Sequence, residues 1–289
     1  MKKLLMSILA LTMALGLTAC GGGEPKDKLA QIKEQGYITL GTSPDYAPCE
    51  FYIEKDGKKE IVGTDIMLAQ AIADKIGVEL RIAESDFNTV IANAQAGNID
   101  VGISGFAWKK ERAEVVNFSD DYTRNADDSF QGLMIRKEDV DKYPTKEAFK
   151  AAGAKVGAQG ASIQYDMALA IADEENIIQL ADTTNVAAQL STGDLDAFVC
   201  TSTQAYALME TYTNIILLPK ETFNMDPDNF YNRTGAIFCK DESYNSLIEV
   251  VNEVIAEAKV KDENGKNMLD KWYEEAEALM PFEIPLEEQ

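Results

Sequence analysis

The sequence contains no histidine. That absence excludes a Ser-His-Asp or Cys-His nucleophile and any histidine-based zinc site. Acid–base chemistry would fall to carboxylates, lysine, tyrosine or cysteine. Positive charge is also scarce: 27 Lys and Arg stand against 49 Asp and Glu, a net charge of −22. Such a surface repels nucleic acid and has no polybasic footing on anionic lipid. Cysteine is sparse, at positions 20, 49, 200 and 239. Without Cys20, the remaining three allow at most one bridge, which is no disulfide framework; the simpler reading is small buried thiols. The oxygen-rich stretch NMDPDN (224–229) lacks calcium-loop spacing. KVGAQG (155–160) lacks the Lys-Ser/Thr ending of a phosphate loop. No cofactor and no metal site are expected.

What is present is enough apolar residue, 46% of 289 positions, to fill buried cores. That length is long for one core and natural for two lobes. The first twenty residues stand apart. Lys2 and Lys3 precede an apolar run, Leu4 to Leu17, that is too short to span a bilayer comfortably. Residues 1–19 read as a secretory signal, outside the fold. The end of the run, Leu17-Thr18-Ala19-Cys20, resembles a bacterial lipobox. That resemblance implies cleavage before Cys20 and lipidation of its thiol. Residues 20–35 then read as a lipidated cysteine followed by a flexible tether.

Alternating strand and helix patterns follow. Tyr37 to Gly41 reads as a strand, and Thr64 to Gly77 as a helix capped by Thr64 or Asp65 and ended by Gly77. Val78 to Ile82 alternates like a strand, Asn88 to Ala96 is helical, and Ile99 to Ile103 is a strand. This order implies a parallel α/β sheet. A second series runs through strands at 130–136, 155–158 and 197–200. Its helices are read at 145–152, from a Ser162 cap to about Glu174, and at 185–192. Residues 235–239 and the helices at 244–258 and 268–278 look like a return to the first unit. Crossings near 121–128 and 222–231 would form a hinge. The division is 36–124 plus 230–289 for one lobe and 125–229 for the other.

Six segments carry a family likeness in order: SPDYAPCEF (43–51), IVGTDIMLAQAIADKIG (61–77), GNIDVGISGFAWKKERAEVVNFSDDY (97–122), KVGAQGAS (155–162), GDLDAFVC (193–200) and NGKNMLDKWY (264–273). The chain resembles the bacterial extracellular solute-binding proteins of the polar amino-acid type, the capture subunits of ABC importers. The resemblance covers nearly everything after the tether. It implies an α/β, two-lobed periplasmic-binding-protein-like fold of type II. Each lobe is a mostly parallel sheet flanked by helices, and the two close on one ligand without chemistry.

The resemblance assigns Arg112 a two-pronged contact with the ligand's α-carboxylate. Guanidinium offers parallel N–H donors that lysine cannot copy. The alternative is a surface pair with Glu111 or another acid. The backbone around Ser104, Gly105, Phe106 and Ala107 would share the anion. Gly160, Ala161 and Ser162, with the N–H groups of the helix that Ser162 opens, would supply a contact from the other lobe. Tyr46 and Phe87 match ligand-facing aromatics; for Phe87, core packing is an equal reading.

Three positions depart from the family pattern. Where relatives carry an aspartate for the ligand's α-ammonium, this chain has Thr201. A hydroxyl cannot neutralise a buried ammonium. Ala107 stands in place of the usual Ser or Thr, and Cys49 in place of an aromatic. Asp127 or Asp128, in the stretch TRNADDSF, is the candidate replacement acid; Asp128 is taken into the expected site.

The implied function is an extracytoplasmic, membrane-anchored receptor that captures a carboxylate-bearing ligand, foremost an amino acid. It would be a monomer that hands its closed form to a permease with a cytoplasmic ATPase. Three alternatives stay open: a carboxylate without an α-ammonium, an enzyme of dehydratase type on the same fold, and a signalling receptor lobe.

Overall fold

The computed structural model describes residues 27–124 and 129–280. The signal segment, Cys20, Asp127 and Asp128 lie outside the described residues. Among the described residues no helix is long and apolar enough to cross a membrane.

The chain begins with α1 (Lys28–Gln35), β1 (Tyr37–Thr42), β2 (Asp45–Tyr46), β3 (Glu50–Lys55), β4 (Lys58–Val62), α2 (Thr64–Ile76) and β5 (Glu79–Glu84). It continues with α3 (Phe87–Ala96), β6 (Val101–Gly102), α4 (Lys110–Ala113) and β7 (Val116–Phe118). It then crosses to β8 (Gln131–Arg136), α5 (Lys146–Ala151), β9 (Val156–Gln159), α6 (Ile163–Ala168), β10 (Ile177–Leu180) and α7 (Thr183–Thr192). The same lobe adds β11 (Ala197–Thr201), α8 (Ser202–Thr211), β12 (Ile215–Leu217) and α9 (Lys220–Phe223). The return supplies β13 (Ile237–Cys239), α10 (Asn245–Ala258) and α11 (Met268–Leu279).

Two five-stranded sheets result, ordered β5-β1-β6-β13-β7 and β10-β9-β11-β8-β12. In each, four strands run one way and one runs against them: β13 is antiparallel to β6 and β7, and β8 to β11 and β12. The sheets are therefore mixed. The reversed strand is in both cases the first after a crossing. Parallel strands of an open α/β sheet deliver their C-terminal ends to the crevice, so a strand that starts at the crevice runs the other way. A third, antiparallel sheet, β2-β3-β4, flanks the first lobe.

The expected tether through residue 35 is corrected: the chain is helical from Lys28. The Asp27 carboxylate accepts from the Ala30 N–H at 2.8 Å, Ile32 is fully buried, and Gly36 closes the helix in the left-handed region. Leu29 and Ile32, three apart, pack into the first lobe's core with α10 residues such as Leu247 and Val251. The cap of α2 is also corrected. Gly63 precedes it, with no side-chain cap, and Asp65 is buried inside the fold. The helix begun by Ser162 stops at Ala168, not near 174, because Ile171 and Ala172 turn into the core. The strand expected over 99–103 shrinks to two residues.

Gly63 has a geometry that braces the site from behind. Its φ is 132°, and an added Cβ would lie 2.1 Å from the Cys49 carbonyl oxygen. That close approach lets Thr64 N–H donate to the Pro48 carbonyl and Asp65 N–H to the Cys49 carbonyl. Residues 48–50 and the start of α2 are thereby held together.

Candidate functional site

A cavity, partly open to solvent, lies between the two main sheets. It collects the loops after β1, β6 and β9, the start of α7, and the return crossing at Tyr231 and Thr234. Seven expected residues line it: Tyr46, Phe87, Ser104, Gly105, Ala107, Arg112 and Ser162.

Arg112 projects from α4, a single turn, and is only 3% exposed. Its Nη1 donates to the Ala107 carbonyl at 2.5 Å and its Nη2 to the Ala161 carbonyl at 2.8 Å. The guanidinium lies 5.4 Å from the Phe87 ring centroid and 5.7 Å from that of Phe106. Among the described residues no carboxylate comes within ion-pair distance of it, so the surface pairing with Glu111 is not what forms. Burial lowers its pKa to about 10, against the pull of Asp166. The site thus holds a buried cation that makes no ion pair among the described residues, a costly arrangement unless something else supplies the negative charge.

Other expected groups are placed differently. Gly105 N–H donates to Asp65 Oδ2 at 2.8 Å, so it is not free for a ligand anion. Ser104 Oγ donates to Glu50 Oε1 at 2.7 Å and accepts from Ser43 N–H. Ser162 caps α6 by accepting from Tyr165 N–H, and its hydroxyl donates to the Gln159 carbonyl. Both serines therefore act as supports for neighbouring backbone. Phe106 is fully buried against Phe87, ring centroids 4.7 Å apart, and does not line the cavity. Phe87 does both: it packs on Phe106 and forms a wall. Gly160 is not in the wall, and Ala161, with φ +60°, contributes its carbonyl to Arg112. Thr201 caps α8 by accepting from Gln204 N–H. With Cys49 it lines an adjoining, hinge-side cavity that shares Tyr46, Gly105, Gln131, Tyr231 and Thr234 with this one. Asp128 lies outside the described residues.

Residues missed by sequence reasoning complete the wall, above all Asp45, Glu50, Gln131, Gln159, Thr183 and Gln204. Asp45 crosses between the lobes. Its Oδ2 accepts from Thr183 N–H (2.8 Å) at the start of α7 and from Gln159 Nε2 (3.0 Å). Thr183 Oγ1 donates to its carbonyl at 2.9 Å. Burial raises its pKa, opposed by the bonds from Thr183 and Ser43. Glu50 is 1% exposed, and burial with the adjacent Asp65 charge pushes its pKa well up. A third cross-lobe contact joins Lys109 to Asp166 at 2.7 Å. With the Arg112–Ala161 bond, these hold the two lobes in a closed arrangement.

Comparison with known proteins agrees with this architecture. The chain is 30% identical to the crystal structure of an amino acid ABC transporter substrate-binding protein, AbpA from Streptococcus pneumoniae, bound to L-arginine. The TM-score is 0.72, with 88% of this chain and all of that one covered. It is 28% identical to a probable histidine-binding protein of Campylobacter jejuni over 90% of this chain and 94% of the relative. It is 34% identical to the arginine-binding extracellular protein ArtP of Bacillus subtilis, over 57% of this chain and 59% of ArtP. The profile of one family, a transport component and not an enzyme, matches residues 38–275, and the chain belongs to that family: the bacterial extracellular solute-binding proteins, family 3.

Proposed function

We propose that this protein is the receptor of an amino-acid ABC importer and that its ligand is an amino acid with a basic side chain. The carrying observation is Arg112, a buried guanidinium that faces the cavity and makes no ion pair among the described residues. A ligand carboxylate is the complement of that group. Asp45 and Glu50 in the same walls, and the planar amides of Gln131, Gln159 and Gln204, suit a ligand that also carries positive charge and N–H donors. Tyr46 and Phe87 supply apolar faces between them. Relatives described as arginine- and histidine-binding support this choice.

Capture proceeds by closure of a lobe formed by 36–124 and 230–289 on a lobe formed by 125–229, about crossings near 121–128 and 222–231. The permease recognises the closed form. A lipid on Cys20 holds the receptor, a monomer, to the extracytoplasmic face of the membrane; replacing Cys20 with serine should move the protein from the detergent phase to the aqueous phase in a detergent partition.

Calorimetry with L-arginine, L-histidine, L-glutamine and agmatine tests the ligand reading. Agmatine keeps the guanidinium of arginine and lacks its carboxylate. Binding of a basic amino acid, with agmatine at least a hundredfold weaker, is expected. Equal binding of agmatine, or no binding of any amino acid, refutes the assignment.

A further inference from the structure

Behind the ligand cavity, Cys49, Glu50 and Asp65 bring one potential ligand atom each to within 4.8 Å of one another. The three come from the β2–β3 connection (Cys49), the start of β3 (Glu50) and the first turn of α2 (Asp65), which the Gly63 approach locks together. Glu50 and Asp65 are 1% and 2% exposed. Asp65 is fixed from the far side, its Oδ2 accepting from Gly105 N–H and from Tyr122 Oη at 2.9 Å. Glu50 is fixed through Oε1 by Ser104, while its Oε2 is buried and accepts no hydrogen bond from any donor. An orphan oxygen on an almost fully buried carboxyl, beside a thiol and a second carboxyl, is satisfied either by a proton shared with Asp65 or by a cation. The nearest guanidinium, Arg124, does not provide it. It stacks on the Tyr273 ring at 3.5 Å and forms no ion pair with the three among the described residues.

We propose that Cys49, Glu50 and Asp65 form a binding site for a borderline divalent transition metal such as zinc or cobalt. One thiolate and two carboxylate oxygens are a donor set for such an ion, with a fourth position left for water. Metal distances of about 2.0–2.3 Å require the three donor atoms to draw together from the 4.8 Å that bounds their separations. Cys49 and Asp65 form part of the wall of the hinge-side cavity, which gives the ion a path in. Magnesium and calcium, which prefer an all-oxygen shell, are not the expected occupants.

The test uses cobalt(II) on the purified protein with no amino acid present, so it stands apart from the ligand assignment. A thiolate-to-cobalt charge-transfer band with intense visible bands of a four-coordinate ion is expected. Cys49→Ser should abolish the charge-transfer band, while Cys239→Ser, a half-buried thiol elsewhere, should keep it. Glu50→Gln should weaken binding at least tenfold, and circular dichroism should show both variants folded. Calorimetry in buffers of different ionisation enthalpy should report proton release on binding. No charge-transfer band in the wild type, a band that survives Cys49→Ser, or one lost with Cys239→Ser overturns the proposal.

Discussion

At the scale of single residues, Arg112 sets the terms. The chain gives it two carbonyls and two aromatic rings, and no ion pair among the described residues. Truncating one member of a buried, hydrogen-bonded charge pair costs about 2–5 kcal/mol of binding. Arg112→Ala should therefore lose that much affinity by calorimetry, and Arg112→Lys should recover only part of it because the fork is gone. Arg112 was legible from its motif. Asp45 and Glu50 were not: in a chain with 49 acidic residues, one more acid carries no signal. The wall glutamines were equally silent, since nothing in their sequence neighbourhood marks which face of a strand or turn meets the cavity. Gly63→Ala probes the backbone approach under Cys49. With the left-handed φ and the 2.1 Å clash, it should lower stability by roughly 1–3 kcal/mol or more, read by chemical denaturation.

At the scale of elements, apolar spacing told the truth wherever a helix packs one face on a sheet. Helices α2, α3, α7, α10 and α11 were readable for that reason. Strands β2, β3 and β4 were not, because their sequence is charged and half exposed, with no buried stripe to mark. Helix α1 was hidden by its polar majority; only Leu29 and Ile32 reach the core. Ile32→Ala should cost about 2–5 kcal/mol by thermal or chemical denaturation, a result that a flexible tether would not give.

The start of α7 carries a second prediction. Asp45 sits against Thr183 N–H across the lobes, and burial raises its pKa above 3.8 in the closed form. A raised carboxyl pKa means that closure favours the protonated acid. Its contribution to closure is then greatest below the ordinary carboxylate value, and is lost as pH rises through the raised value. Asp45→Asn should flatten that pH dependence of ligand affinity in the mildly acidic range while retaining an oxygen for Thr183.

At the scale of the whole molecule, two sheets of the same pattern, each with its reversed strand beside the crossing, face one cavity. The likeness of strand order was legible in part, as two α/β series. The reversed strands were not, because strand direction depends on where the hinge delivers the chain. A charge of −22 on one compact protein repels itself. Adding salt from millimolar to about 0.15 M shortens the Debye length to about 8 Å and should raise the melting temperature of the free protein. A melting temperature that falls over this range would refute that account.

The unbalanced guanidinium of Arg112 bears on fidelity. A receptor that shut while empty would show the importer the same outer face as a loaded one, and each such false report would waste a round of ATP hydrolysis. Closure around an unanswered buried cation is energetically discouraged, while closure around a cargo that brings its own carboxylate is not. On the proposed reading, in which Arg112 grips the cargo's carboxylate, the same residue also sets the error rate of the signal.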